Sequence, residues 1–505
     1  LSVYLTGKEI PNRRSGPWHF LYHMIAGLMF FVIRLYAYTS SSEYRKARMF
    51  PDSIEELIAA GSKHAWVHQA PRFGRSASGD VTVFESGKGC LLYDIRGREY
   101  LDGMSGAWVV NIGHGRTEMG ETMASQAGKL AYTSAFNFLT APAIRLAQKL
   151  SDLTSGALSR VYLSNSGAEA VEAALAIARQ HYFNVGQRGR YKFISRRGSY
   201  HGSAFAGKSV SGLRHALLQQ RFAPLLEGCI QVAGPNTYRP EDGLDAKSYV
   251  MRCAKDIERA ILHEGPDSVA AVIGEPISAS AGLFVPDAEY WQAVRETCSR
   301  YGVLLILDEV LVGMGRTGRM FAHEHFGVVP DLLTLSKGVA SGYAPIGATL
   351  VTPHVAASFD GDNSLAHGCT YGNHPVTSAA ALKNIEILER EKIVENASEN
   401  GVYLRERLQA LAQRHASIGD VRGMGMIAAL ELVKDRAAKT SFPAEAAMQA
   451  RLSQYLMDEG VFLRVWDVIH VAPPLVSTRA EIDRLIDGLD RAIGRFEADV
   501  GMGVN

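Results

Sequence analysis

The sequence predicts an α/β protein: a large domain built on a mainly parallel, helix-covered sheet, followed by a smaller α/β domain. Three observations carry that reading. Five short apolar runs, RVYLS (160–164), YKFIS (191–195), VAAVIGEP (269–276), VLLILDEV (303–310) and LLTLS (332–336), are separated by helix-length segments. That alternation is the rhythm of parallel strands joined by helical crossovers and covered on both faces. From about Ile385 the order becomes helix, strand, helix, with VRGMGMIAALELV (421–433) reading as one strand. At 505 residues the chain is also long enough for two or more lobes.

The expected division is an N-terminal extension (1–50), a segment packing with the small domain (51–106), the large domain (107–385) and the small domain (386–505). Within the extension, residues 18–38 (WHFLYHMIAGLMFFVIRLYAY) are nearly all apolar or aromatic and as long as a membrane-spanning helix. Trp18, Tyr36 and Tyr38 sit at its ends, Arg13 and Arg14 precede it, and Arg45, Lys46 and Arg48 follow. His19, His23 and Arg34 are costly in hydrocarbon. The expectation is a helix that associates the protein with a membrane, the catalytic lobes lying on the cytoplasmic side. The alternative is a helix packed on the protein or on a partner subunit. A signal peptide would need a small-residue cleavage site, which the segment lacks. After Pro51, Ile54, Leu57 and Ile58 repeat with helical spacing.

Charge and cysteine content exclude several classes. Lys and Arg number 53 against 52 Asp and Glu, a formal charge of +1, so nothing calls for nucleic acid as a partner. Cys90, Cys229, Cys253, Cys298 and Cys369 are scattered and odd in number, without a CxxC pair. That argues against a disulfide framework and against a cysteine zinc site.

An open α/β sheet binds its ligand beyond the carboxyl ends of its strands, so the chemistry is sought there. After the first run, Ser166-Gly167-Ala168-Glu169 has the spacing of a capping box before an Ala-rich helix. It reads either as a plain cap or, with Gly167 admitting a ligand to the free N–H groups, as a phosphate site. Tyr200, in RRGSYHGS, is a turn filler or a ring that stacks on a flat heterocycle. VLLILDEV runs five apolar residues into Asp308 and Glu309. A carboxylate at that exit can hold a protonated ring nitrogen; a metal would need a ligand cluster with suitable spacing, which is missing. LLTLSKG ends a strand on Lys337, either solvated or a nucleophilic amine with a lowered pKa. Phosphate cradle, stacking ring, carboxylate and amine together match the parts of pyridoxal 5′-phosphate.

In this order, SNSGAEAVEAAL, GSYHG, GEPI, LDEV, LSKG, CTYGNHP and VRGMGM closely resemble the landmarks of the class III aminotransferases, of fold type I. The resemblance covers residues 60 to 495 and is nearest to the amine:pyruvate, or ω-amino, transaminases, through DGMSGAWVVNIGHGR (102–116), GRTGRMFAHEHFGVVPDLLTLSKG (315–338) and HVAPPLVSTRAEID (470–483). It implies a fold type I architecture with a seven-stranded, mainly parallel sheet. It also implies that Lys337 forms the Schiff base and Asp308 pairs with the pyridinium nitrogen. Ser166, Gly167 and the backbone of Ala168 would bind the phosphate, with Tyr200 and Val310 on the two ring faces. Thr370 would reach across a homodimer interface to the partner's phosphate. Trp108 would line the substrate pocket, and Arg464 resembles the mobile arginine that pairs with a substrate carboxylate and swings away for uncharged amines. Arg422 is the arginine that, in the ornithine and 4-aminobutyrate branches, meets an acidic residue. Ser280 stands where that acid belongs, which counts against those branches. CTYGNHP departs from the commoner Ser-Gly at Gly372 and Asn373, so the loop around Thr370 is expected to differ in shape.

The implied reaction moves an amino group from an amine to a keto acid such as pyruvate, or to an aldehyde, with Lys337 as proton carrier. A membrane anchor would suit a lipophilic amine. Aminomutase, decarboxylase, racemase and phospho-lyase reactions share the scaffold and remain open, as does a non-catalytic, membrane-associated scaffold. A nucleotide-binding Rossmann domain is set aside because no GxGxxG follows the first strand.

Overall fold

The computed structural model describes residues 53–68, 81–212, 220–241, 243–466 and 468–502. The chain divides into two units, Leu1–Gln69 with Ser78–Thr82, and Ala70–Ala77 with Val83–Asn505. In the first, the helix Ile54–His64 starts where Ser53 accepts a hydrogen bond from Glu56 N. Its first turn is acidic and its last turn basic, which complements the helix dipole.

The second unit holds three sheets. The first joins β1 (Phe84–Lys88), β2 (Leu91–Asp94) and β3 (Glu99–Asp102) to β13 (Val461–Phe462), which runs parallel to β3. The central sheet has seven strands: β4 (Arg160–Ser164), β5 (Lys192–Arg196), β6 (Cys229–Val232), β7 (Val269–Gly274), β8 (Leu304–Asp308), β9 (Leu332–Leu335) and β10 (Gly347–Val351). Their spatial order is β4-β10-β9-β8-β7-β5-β6, and only β10 runs against its neighbours. All five apolar runs are strands of this sheet. The two strands the sequence hides are β6, a short edge strand, and β10, whose GATLV follows a Gly-rich loop and reads as part of it. β7 and β8 are buried at every position, a rigid floor in which each Leu, Ile or Val side chain contributes about 1.5–3 kcal/mol.

The third sheet, β11 (Ile418–Met424), β12 (Ile427–Leu432), β15 (Val468–Val471) and β14 (Arg464–Val465), is antiparallel. Residues 421–433, read as one strand, are mostly a hairpin. The chain reverses at Gly425, whose φ of +58° favours glycine and whose Cβ, if present, would stand 2.3 Å from the Thr317 carbonyl carbon. That contact lies more than a hundred residues away in sequence.

The expected membrane association through residues 18–38 is corrected. Those residues lie outside the described ones, and among the described residues no helix is long and apolar enough to cross a membrane. The long C-terminal helix, for example, is amphipathic: Arg479–Asp499 buries Ile482, Leu485, Ile486, Leu489, Ile493 and Phe496 and interleaves them with Arg and Asp. The transmembrane helix, the membrane-associated location and the lipophilic amine fall together, because all three rested on that segment.

Candidate active site

β4, β5, β7, β8 and β9 share one direction, so their carboxyl ends line one edge of the central sheet. Asp308 closes β8 there, 5 % exposed. Its Oδ2 accepts from His201 Nδ1 at 2.8 Å. Its Oδ1 accepts from Thr334 Oγ1 at 2.9 Å, directly across the β8–β9 ladder, and from Val310 N at 3.1 Å. His201 is buried, and because its Nδ1 faces an acceptor, that nitrogen carries the proton. Neighbouring Glu309 turns the other way and is used up by Ala322 N at 2.6 Å and by His323 N and Nδ1 at 2.7 and 2.8 Å.

Lys337 follows β9 by two residues and has a φ of +42°, a strained backbone for a residue with a side chain. The surrounding contacts hold it there. Ser336 Oγ donates to Ile346 O at 2.6 Å, and Asn384 Nδ2 donates to the carbonyls of Gly338 and Val339. A Cβ on Gly338 would stand 2.3 Å from Asn111 Nδ2, so only glycine fits beside the lysine. Burial, opposed by the Asp308 charge and reinforced by Arg316 and Arg464, lowers the Lys337 pKa to about 8. At pH 7.5 such an amine is neutral in roughly a quarter of molecules, against about one in a thousand for a free lysine.

Ser166 caps the helix Gly167–Asn184, accepting from Glu169 N at 3.2 Å. The expected capping box is only half formed, because the Glu169 carboxylate goes to Asn165 N and Nδ2, both at 2.8 Å. The helix start is walled closely. A Cβ on Gly167 would lie 2.6 Å from Val310 Cγ1 and 3.4 Å from Ser336 Cβ, and one on Gly202 would lie 3.0 Å from Ala168 Cα. Tyr200 is half-exposed at this rim; its N donates to Glu275 Oε1 at 3.1 Å and its hydroxyl bonds Ser203 Oγ at 2.9 Å. Glu275 is itself held by buried Arg196 at 3.1 Å.

Trp108 stands beside Lys337. It is buried with a φ of +59°, in a turn whose Gly106 N–H donates to Asp102 Oδ1 and Oδ2. Lys337 Nζ lies 5.5 Å and the Arg464 guanidinium 6.0 Å from its ring centroid. Trp466 and His470 complete an aromatic cluster, with centroids 6.5 and 5.5 Å from Trp108.

Two of the expected residues stay outside this group. Arg422 is committed to Asp420 at 2.8 Å, Glu431 at 2.5 Å and the Gly282 carbonyl at 2.6 Å, with its guanidinium over Phe284. Thr370 is exposed, and its carbonyl accepts from Tyr132. In the same loop Asn373 takes a left-handed φ of +56°, which asparagine tolerates better than most residues.

Sequence reading missed His201, Thr334, Arg316, Trp466 and His470. Only His201 carried a local signal, beside Tyr200 in SYHG. Arg316 is fully buried and donates to Met426 O, Pro473 O, Ser105 Oγ and Asn111 Oδ1, tying both lobes to the Trp108 turn. Burial lowers its pKa to about 9.

The residues fit pyridoxal 5′-phosphate. A side chain at position 167 would fill the space against Val310, whereas glycine leaves the free N–H groups of the helix start open to an anion. Asp308 offers a carboxylate to a ring nitrogen, and Lys337 an amine to an aldehyde. The chain matches the family described as Aminotransferase class-III over residues 75–493. This protein is a class III aminotransferase.

The aminotransferase is 39 % identical over 446 residues to a probable aminotransferase of Mycobacterium tuberculosis, which covers 87 % of this chain and 94 % of that protein. It is 38 % identical over 465 residues to the taurine–pyruvate aminotransferase of Bilophila wadsworthia, with 88 % and 99 % covered. The solved amine transaminase of an uncultivated Pseudomonas species, in its cofactor-bound form, superposes with a TM-score of 0.81 at 36 % identity, covering 86 % of this chain and 98 % of that one. The fold is that of a fold type I transferase, its cofactor is pyridoxal 5′-phosphate, and it transfers an amino group between an amine donor and a keto acid.

Proposed function

We propose that Lys337 is the working amine of this aminotransferase, with Asp308 as the partner of the cofactor's ring nitrogen and Arg464 as the anchor for a substrate carboxylate. One observation supports this above the others: the lysine of lowered pKa lies two residues beyond the strand paired with the one that Asp308 ends. Ser166, Gly167 and the N–H of Ala168 would hold the phosphate, and Tyr200 and Val310 would bracket the ring. Bound pyridoxal phosphate supplies an electron sink for the charge left on the substrate carbon when its proton departs. Lys337 Nζ takes that proton and returns it during the same half-reaction, a role open to an amine that is partly neutral near pH 7.5. Asp308, fixed by His201, Thr334 and Val310 N, holds the ring nitrogen in its protonated form. The Arg464 guanidinium pairs with the keto acid through two parallel N–H donors. Arg422, already paired with Asp420 and Glu431, is the weaker candidate for that task. Trp108 closes the pocket over both cations.

Lys337→Ala is expected to lose alanine formation from pyruvate while keeping the fold by circular dichroism; substantial turnover by the pure variant would refute the assignment. The enzyme is further proposed to work as a homodimer, with Thr370 serving the neighbouring subunit's phosphate. Exposed Phe136, Phe138, Leu139 and Tyr371 beside that loop support an apolar interface. Sedimentation velocity decides it, since a fully active monomer is incompatible.

A further inference from the structure

β14 and β15 form a tight ribbon in which Arg464 lies opposite His470 and Trp466 N donates to Val468 O at 3.0 Å across the turn. Arg464 and Trp466 are two residues apart, so their side chains leave the same face. The result is a close stack: the Arg464 guanidinium carbon lies 3.6 Å from the Trp466 ring centroid. The indole is held in turn. His470 packs perpendicular to it at 5.8 Å and perpendicular to Trp108 at 5.5 Å. His470 is itself buried, and its Nε2 donates to the Ala279 carbonyl at 3.0 Å. Burial pushes the His470 pKa down to about 4, so the ring is neutral and adds no repulsion to the guanidinium beside it.

The geometry has a chemical consequence. A guanidinium that stacks through its face keeps its N–H donors in its own plane, where they suit a carboxylate or sulfonate. Tryptophan is the best aromatic partner for such a cation, and the attraction grows where water is excluded. An arginine held this way has already lost most of its rotamer freedom before substrate arrives, which favours binding of an anionic end group. An uncharged substrate gains nothing from those donors.

We propose that Trp466 is a specificity-determining residue: its indole holds the Arg464 guanidinium face-on beside Trp108, so that the enzyme favours substrates ending in a carboxylate or sulfonate over uncharged ones of the same size. The inference rests on the assignment of Arg464 as the carboxylate anchor and extends it to a residue outside that pair.

The test is a half-reaction of the cofactor-loaded enzyme with two amines of matched shape, L-alanine and propan-2-amine, the second replacing carboxylate by methyl. Wild type, W466L, W466F and R464A are compared for half-saturation and maximal rate. In W466L the half-saturation for L-alanine should rise about tenfold, with the maximal rate changing less than about twofold and propan-2-amine little affected. W466F should recover most of the loss. If R464A abolishes the preference for L-alanine while W466L keeps the wild-type ratio, the Trp466 inference is overturned and the Arg464 assignment stands. If R464A keeps the ratio, that assignment fails and takes the inference with it. Equal losses for both amines in W466L, unrelieved in W466F, mean a structural role and likewise overturn the proposal.

Discussion

His201 Nδ1 and Asp308 Oδ2 lie 2.8 Å apart, both side chains buried, and the remaining His201 nitrogen has no partner among the described residues. The imidazole therefore has one task, to fix the Asp308 carboxylate. His201→Ala should lower kcat for alanine formation about ten- to a hundredfold, the usual effect of losing an orienting partner. Asp308→Asn, which removes the charge itself, should cost about a thousandfold. A His201→Ala enzyme at wild-type rate would show that Thr334 and Val310 N orient Asp308 without help.

The lowered Lys337 pKa predicts how the apoenzyme takes up its cofactor. Only the neutral amine attacks an aldehyde, and below a pKa of about 8 the neutral fraction grows tenfold per pH unit. The second-order rate of pyridoxal phosphate uptake should rise from pH 6 and level off near pH 8. An ordinary lysine would keep the rate rising towards pH 10, and that profile would contradict the shift.

Gly167→Ala separates steric from helical effects. Alanine is the better helix former by about 1 kcal/mol, so the helix alone would gain from it. The added Cβ would meet Val310 Cγ1 at 2.6 Å, at the mouth of the proposed phosphate cradle. The variant should therefore retain less cofactor after dialysis than wild type. Full retention, read from the bound-cofactor absorbance, would remove Gly167 from the cradle.

In the small domain His415 bridges two acids, with Nδ1 2.8 Å from Glu497 and Nε2 2.7 Å from Asp490. Burial pulls its pKa down, but the two carboxylates outweigh burial and raise it. Glu497 is the reverse case: burial raises it, and the bonds from His415 and Ser417 win and lower it. The His415 contribution is fully present below the unfolded histidine value near 6.5 and disappears as pH rises through the raised folded value. The Glu497 contribution is present above its unfolded value and disappears as pH falls through the lowered one. Tm of His415→Gln should trail wild type by a few °C at pH 6, and the gap should close at alkaline pH. A gap independent of pH would mean that packing, not charge, sets the effect.

The sequence by itself determined what depends on neighbours in the chain. An apolar run that stops on Asp308 or Lys337 marks a strand end, and an Ala-rich stretch after Ser166 marks a capped helix start. Five strands and the two groups at their ends were therefore legible without coordinates. Hidden elements had weak local signals. GATLV lies behind a glycine-rich loop, and the reversal at Gly425 is enforced by Thr317, which no window around 425 contains.

Tertiary structure decided which charges were already spent. Arg422 and Arg464 look alike as single arginines on strands of the small domain, yet Asp420 and Glu431 claim the first, while the second lies against Trp466 beside Trp108. The same holds for His201, which meets Asp308 across 107 positions, and for Arg316, which binds segments from residues 105 to 473. Hydrogen bonds and stacking act over a few ångströms of space, whatever the separation along the chain. Local sequence specifies where an ionisable group emerges, and only folding brings up the partner that orients or neutralises it.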